Sequence, residues 1–344
     1  MAIDNRAPRS LRGAITMGNS FRRGALLAPV FGVLFAASAF AQTSTAPVAV
    51  PESFPAWAYP WVPDFKVPPD DGVPRHVPDS AAAFTITQER DLFFSPDWHP
   101  EDHGPMPDIV AKGRPPDARA CGSCHRSEGT GGPENASLAG LPAAYIVQQV
   151  ADYKNGARKF SGPQRSPVLL MTAAAKAVTD AEIQAVAAYY SALKPKRIIK
   201  VVESDTAPKS QIARVFYMKL PEGGVEPLGR RILEVPDDVA QFEHRDTRAQ
   251  FTAYVPPGSI AKGEAIAKSG AAASCMTCHG PDLKGVGLIP RIAGRSPSYI
   301  ARQIYDIQQG ARAGEASAIM KPAVEKLSSD DIIALAAYVG SLEP

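Results

Sequence analysis

Apolar side chains fall three to four residues apart in two stretches, YIVQQVADY (145–153) and YIARQIYDI (299–307), and each run stops at a glycine, Gly156 or Gly310. That spacing lines one helical face, and glycine commonly sits just past a helix end. Two later runs, 180–195 and 329–344, place Ile183, Val186 and Tyr190, or Ile332, Leu335 and Val339, on one face that must pack against something. Thr179 with Glu182 forms a capping box at the start of the first, and Ser328 with Asp331 forms its acidic analogue at the start of the second. Between these helical parts, ARVFYMKL (213–220) and FTAYVPPG (251–258) alternate as strands do, joined through the turn-rich PEGGVEPLG.

The two helical parts are copies of one another. Displaced by 154 residues, AYIVQQVADYKNGAR (144–158) falls on SYIARQIYDIQQGAR (298–312) without a gap. Tyr145, Gln149, Asp152, Gly156 and Arg158 recur as Tyr299, Gln303, Asp306, Gly310 and Arg312. After the arginine the first copy carries five extra residues, and MTAAAKAVTDAEIQAVAAYYSALKP (171–195) then falls on MKPAVEKLSSDDIIALAAYVGSLEP (320–344). A self-similar period of this length is one domain used twice.

Each copy opens on the same short motif, Cys121-Gly-Ser-Cys124-His125 and Cys275-Met-Thr-Cys278-His279, and together they consume all four cysteines. Three chemistries use such a motif. A thioredoxin-like redox pair needs a βαβ setting and gives the histidine no role. A zinc site needs a fourth ligand. Covalent haem c needs all three residues: at i, i+3 and i+4 of a helix they share a face, the thiols add to the porphyrin vinyl groups, and the imidazole reaches the iron. Two copies that leave no cysteine elsewhere favour haem c, one haem per copy. The sixth ligand then falls to Met171 and Met320, equivalent positions between the long helix and the last one. A thioether there favours the ferrous state. The bland reading of either residue is a methionine filling a core gap. Met276, inside its own attachment motif, is unable to reach the far face of the same haem.

Residues 1–41 read as a secretory signal, with Arg22 and Arg23, an apolar run from Ala25 and the small-residue site Ala39-Phe40-Ala41; Met17 is a possible alternative start. The competing reading is a leader retained as a membrane anchor. The leader also distorts the net charge of +2, because it holds five arginines against one aspartate; the remaining chain has 32 basic and 34 acidic residues. Nothing in that balance points to nucleic acid or to a polybasic membrane patch. Export beyond the cytoplasm, to the periplasm, matches the compartment in which haem c is attached.

The ordered set of C-x-x-C-H, P-x-I-A-G (290–294), Y-I-x-x-Q, G-A-R, a methionine and a last helix ending LAAYVGSLEP resembles class I cytochrome c, and the tandem is similar to diheme c-type cytochromes of bacterial periplasms. The resemblance implies all-α cytochrome c domains at 117–195 and 259–344, so the chain is mainly α; a Pro-rich extension at 42–116 and, from its alternating stretches, a partly β insertion at 196–258 lie outside it. It implies His/Met ligation and electron transfer between a redox donor and acceptor, such as a dehydrogenase or a terminal oxidase. In this family a prolyl carbonyl accepts the proximal histidine's hydrogen bond. Pro290 fills that place in the second copy, whereas the first has Ala136, a difference that could separate the two potentials. Arg158 and Arg312 are candidates to neutralise haem propionates, or else ordinary helix-end arginines.

The family pattern leaves two regions unread. Residues 43–116 hold 15 of the 33 prolines and all three tryptophans, Trp57, Trp61 and Trp98. So much proline excludes long helices, and the aromatic content argues against a disordered tail. An extended arm wrapped on the haem domains is expected, with one ordered piece near 84–98. His76, His99 and His103 in this arm read as surface or packing residues. Two functional classes remain open. One is an electron carrier, alone or as a subunit of an oxidoreductase. The other is a diheme enzyme, peroxidase-like or acting on sulfur compounds, in which one iron gives up its methionine.

Overall fold

In the computed structural model, which describes residues 54–344 apart from 64, 65, 67, 68, 163, 164 and 270–273, both helical repeats form where the apolar spacing places them. The leader at 1–41 lies outside the described residues. The arm contributes α1 (Ile86–Arg90), and the first copy then runs through α2 (Asp108–Ala111), α3 (Gly122–His125), α4 (Ala143–Asn155), α5 (Ser166–Ala177) and α6 (Asp180–Ala192). Gly156 ends α4 in the left-handed conformation (φ 79°), which costs glycine little. Ile146, Val150, Ile183, Val186 and Tyr190 close on one another as a core. That core takes in Ile109 and Val110 from α2, upstream of residue 117, because α2 lies against α3 and α6.

The second copy comprises α8 (Ser259–Ser269), α9 (Cys275–His279), α10 (Pro297–Gln308), α11 (Glu315–Ala318), α12 (Lys321–Val324) and α13 (Ser329–Ser341). Helix α8 crosses α13 at Gly263, where a Cβ would stand 2.0 Å from the Ala334 carbonyl oxygen, so only glycine permits this approach. Both expected N-terminal boxes form, Thr179 with Glu182 and Ser328 with Asp331, each satisfying otherwise unpaired helix-end amides.

The insertion forms β1 (Ile199–Glu203), β2 (Thr206–Pro208), β3 (Ser210–Ala213), β4 (Phe216–Lys219), β5 (Val225–Pro227), β6 (Leu233–Pro236), α7 (Val239–Glu243) and β7 (Phe251–Val255). Its sheet has the order β1–β7–β6, with β1 parallel to β7 (Ile199 opposite Phe251) and β6 antiparallel to it. β2 pairs with β5, and β3 with β4. The alternating stretch at 213–220 is thus mostly one arm of a tight hairpin that turns at Arg214 (φ 59°). β1 lies on α13 and β6 on α10, which mounts the insertion on the second copy.

The arm is short pieces of structure on a long path. Trp98 is fully buried and donates its indole N–H to the His244 carbonyl at 2.7 Å, tying arm to insertion. His99, expected at the surface or in packing, is buried with its Nε2 3.0 Å from the buried Asp246 carboxylate. His103 has its Nε2 3.0 Å from Asp97 and its Nδ1 2.7 Å from the Gly104 carbonyl. The Asp97 hydrogen bond, with help from Gly104 and the Glu128 charge, raises the imidazole above its ordinary value. A raised folded value stabilises the protonated form: this contribution is complete below an unfolded pKa of about 6.5 and is lost as pH rises through the folded value. Denaturant midpoints should therefore fall on the alkaline side of that window. Asp97→Asn should flatten this decline, and an unchanged slope would remove His103 from the account.

Candidate functional site

Each attachment motif sits on a single helical turn. Cys121 caps α3, which ends at His125, while α9 runs from Cys275 through His279, so in both copies the two cysteines and the histidine are held within one turn. His125 donates from Nδ1 to the Ala136 carbonyl at 2.8 Å, and His279 donates from Nδ1 to the Pro290 carbonyl at 2.9 Å, each eleven residues downstream. A carbonyl only accepts, so Nδ1 carries the proton and Nε2 keeps its lone pair. Burial, the largest influence, lowers both imidazoles below their usual range and keeps them neutral, as a metal-binding nitrogen must be. Alanine's carbonyl thus serves His125 as proline's serves His279, eleven residues downstream in each copy.

In the first copy Cys121, Cys124, His125 and Met171 line one cavity of about 150 Å³. Met171 projects from within α5, whereas Met320 stands at the junction of α11 and α12, where its carbonyl accepts from the Ala323 and Val324 amides. Cys275 and Met320 border the core of the second copy. In the first copy a neutral imidazole nitrogen, paired thiols and a thioether bordering one apolar space form a donor set that fits haem c. All four cysteines are in the motifs, so none remains to act as a different iron ligand.

The arginines that recur at the ends of α4 and α10 behave otherwise than helix-end residues. Arg158 donates to Gln149 Oε1 (2.8 Å), to Gln303 Oε1 (2.8 Å) and to the Tyr299 hydroxyl (3.1 Å). Arg312 mirrors it, donating to Gln303 Oε1 (3.1 Å), Gln149 Oε1 (2.9 Å) and the Tyr145 hydroxyl (3.0 Å). Backbone bonds from Lys159 to Ala311 and from Ala313 to Ala157 complete a near-twofold junction. The residues that matched in the repeat thus pair with one another in space. Arg158, Arg295, Arg302 and Tyr299 line the first cavity, so the second copy supplies part of its wall.

The longer segment that follows Arg158 in the first copy also serves this junction. The Ser161 amide donates to Asp306 of α10 at 2.9 Å, and Gly162 lies under Phe54 and Tyr59 of the arm, with no room for a Cβ. Sequence reasoning had no signal for this role, because an insertion in one repeat reveals its length and not its neighbour. Arg295 was also missed: its counterpart in the first copy is Leu141, so the repeat did not flag it.

Comparison with known proteins also finds a tandem of two domains. The family described as Cytochrome c matches twice, at residues 110–194 and 260–343. The chain is 37% identical over 82 residues to cytochrome c-554(548) of Halomonas halodenitrificans, 24% of this chain and 99% of that one. It is 26% identical over 230 residues to the thiosulfate dehydrogenase electron acceptor of Thiomonas intermedia, covering 66% of this chain and 80% of that protein. It is 25% identical over 233 residues to cytochrome c4 of Pseudomonas aeruginosa, covering 65% and 85% respectively.

Proposed function

This chain belongs to the cytochrome c family, with two such domains and two haem c groups, and we propose that it carries single electrons between a donor and an acceptor protein through irons ligated by His125 with Met171 and by His279 with Met320. Cys121 and Cys124 hold one haem, and Cys275 and Cys278 the other. The observation that carries the reading is the matched histidine geometry, Nδ1 tied to a backbone carbonyl in both copies. Haem supplies the one-electron couple; the chain supplies its fixed ligands, an apolar surround and buried arginines.

A ligand set that stays in place on reduction changes little in geometry, which makes transfer quick and leaves no position for a substrate. The donor is a dehydrogenase; one similar protein is named as the electron acceptor of a thiosulfate dehydrogenase. Terminal oxidases are the natural acceptors for such a carrier. The compartment is the periplasm, reached through the leader; no helix among the described residues is long and apolar enough to cross a membrane. The enzyme alternative turns on whether Met171 occupies its iron, and the first copy, with Ala136 and its longer segment after Arg158, is where an exception would fall; Ala136 keeps the histidine bond there.

Absorption spectra of oxidised and reduced protein, with haem measured as pyridine haemochrome, test the proposal. Two low-spin haems per chain, each with the weak sulfur-to-iron band when oxidised, are expected. A high-spin component, or one such band in place of two, would move the reading to an enzyme with one labile ligand.

A further inference from the structure

The two haem-attachment segments are equivalent in sequence and opposite in exposure. Residues 126–133, which follow His125, are all buried. In the matching stretch, 280–287, Pro281, Asp282, Lys284, Val286 and Gly287 are exposed, as are Leu288 (70%) and Ile289 just beyond it, while Gly280 and Leu283 are buried. Cys124 is partly buried, whereas Cys278 is exposed.

The cover over the first segment comes from the arm and the insertion, the two regions outside the family pattern. Gly122 lies against the arm, where a Cβ would stand 2.3 Å from Ser95 Oγ and 2.9 Å from the Val110 carbonyl; Met276 occupies the equivalent place in the second copy. Arg245 of the insertion donates to the Ser123 carbonyl at 2.6 Å, and Thr247 donates to the buried Glu128. Arg126 carries the clearest mark of a built contact. It has φ 70° and ψ 160°, backbone that is nearly glycine's alone and strained for any other residue, and its counterpart in the second copy is Gly280 at φ 84° and ψ 163°. The Arg126 guanidinium lies over the Phe242 ring of the insertion, 5.9 Å from its centroid, while its carbonyl accepts from the buried Tyr190 hydroxyl at 3.0 Å.

We infer that electrons enter and leave this protein at the second domain, beside Cys278, because the arm and insertion cover the cysteine edge of the first haem and leave that of the second open. This rests on the attachment of haem at Cys121, Cys124, Cys275 and Cys278 proposed above. A thioether joins each cysteine directly to the macrocycle edge, so cover over the cysteine turn is cover over that edge. Tunnelling falls off exponentially with distance, so a layer of protein on one edge and none on the other decides which iron an outside one-electron donor reduces from ferric to ferrous. The first iron then takes its electron from the second.

The test is proton NMR of the oxidised holoprotein titrated with a neutral, soluble gadolinium chelate, with haem methyl signals assigned through their thioether cysteines. Methyls of the haem on Cys275 and Cys278 should broaden several-fold more than those on Cys121 and Cys124. Equal broadening, or the reverse order, overturns this difference in cover. Hydrogen exchange gives a second readout that does not depend on haem: amides of 122–133 should be protected and those of 281–289 should exchange quickly, and matching rates would also overturn it. In Gly122→Met the arm should lift and the first set of methyls should broaden toward the second; a folded variant with unchanged broadening would refute the arm's part. A haemochrome count other than two per chain would defeat the attachment reading instead, whatever the exchange pattern.

Discussion

Replacing Met320 with histidine is expected to lower the midpoint potential of one haem by on the order of 0.1 V or more, within the roughly 0.8 V that axial ligands span, and to leave the other wave in place. The physical reason is the ligand's softness. A thioether donates weakly and favours the ferrous iron, while a second imidazole donates more strongly and stabilises the ferric one. Met171→His should do the same to the other wave. The two methionines are held differently, one within α5 and one at the turn between α11 and α12. The Met320 site is therefore the more able to accommodate a bulkier ring without disturbing a helix. Spectroelectrochemistry of the variant, with loss of one sulfur-to-iron band, checks the assignment. Both waves unmoved would show that Met320 is a packing residue.

The double substitution Cys121→Ala with Cys124→Ala should reduce haemochrome from two haems to one per chain, because every cysteine of the first motif is then gone. Its structural consequence should be large as well. The first cavity, about 150 Å³, is lined by Ile146, Val150, Ile183 and Val186, core residues that would lose their central partner. Cavities of this scale cost on the order of a few kcal/mol. Arg158 also lines it, so the junction built with Tyr299 and Gln303 should loosen in step. The expected result is an early unfolding transition in urea that the parent protein lacks, with the second haem still bound. Retention of both haems would place the attachment elsewhere.

Much of this was legible in the chain because it depends on short spacings. Two cysteines and a histidine within five residues need only one helical turn to come together. Thr179 with Glu182 and Ser328 with Asp331 satisfy amides in their own first turn, so the helix starts could be located without knowing what the helices pack on. The apolar faces of 180–195 and 329–344 became core for the same reason.

Other features depended on residues far apart in sequence. The parallel pairing of β1 with β7 joins the first and last strands of the insertion, and nothing local in either strand names the other. His99 looked like a surface or packing histidine until Asp246, 147 residues away, was found as its buried partner. Gly122 stands between the cysteines of the first motif with no local reason to be glycine, and Ser95 of the arm, close in space only, leaves no room there for a Cβ.

By itself the sequence determined that the chain holds a helical domain used twice, and it pointed to the residues proposed to bind the haems and to a backbone carbonyl for each histidine. These rest on periodicity and on contacts within a few residues. Only the tertiary structure decided that Arg158 and Arg312 reach across to Gln303 and Gln149, and that the arm and insertion cover one attachment turn and leave the other open. Such contacts form when distant segments are brought together by burial of their apolar surfaces, and the energy that selects them is shared over the whole core, so no local pattern records it.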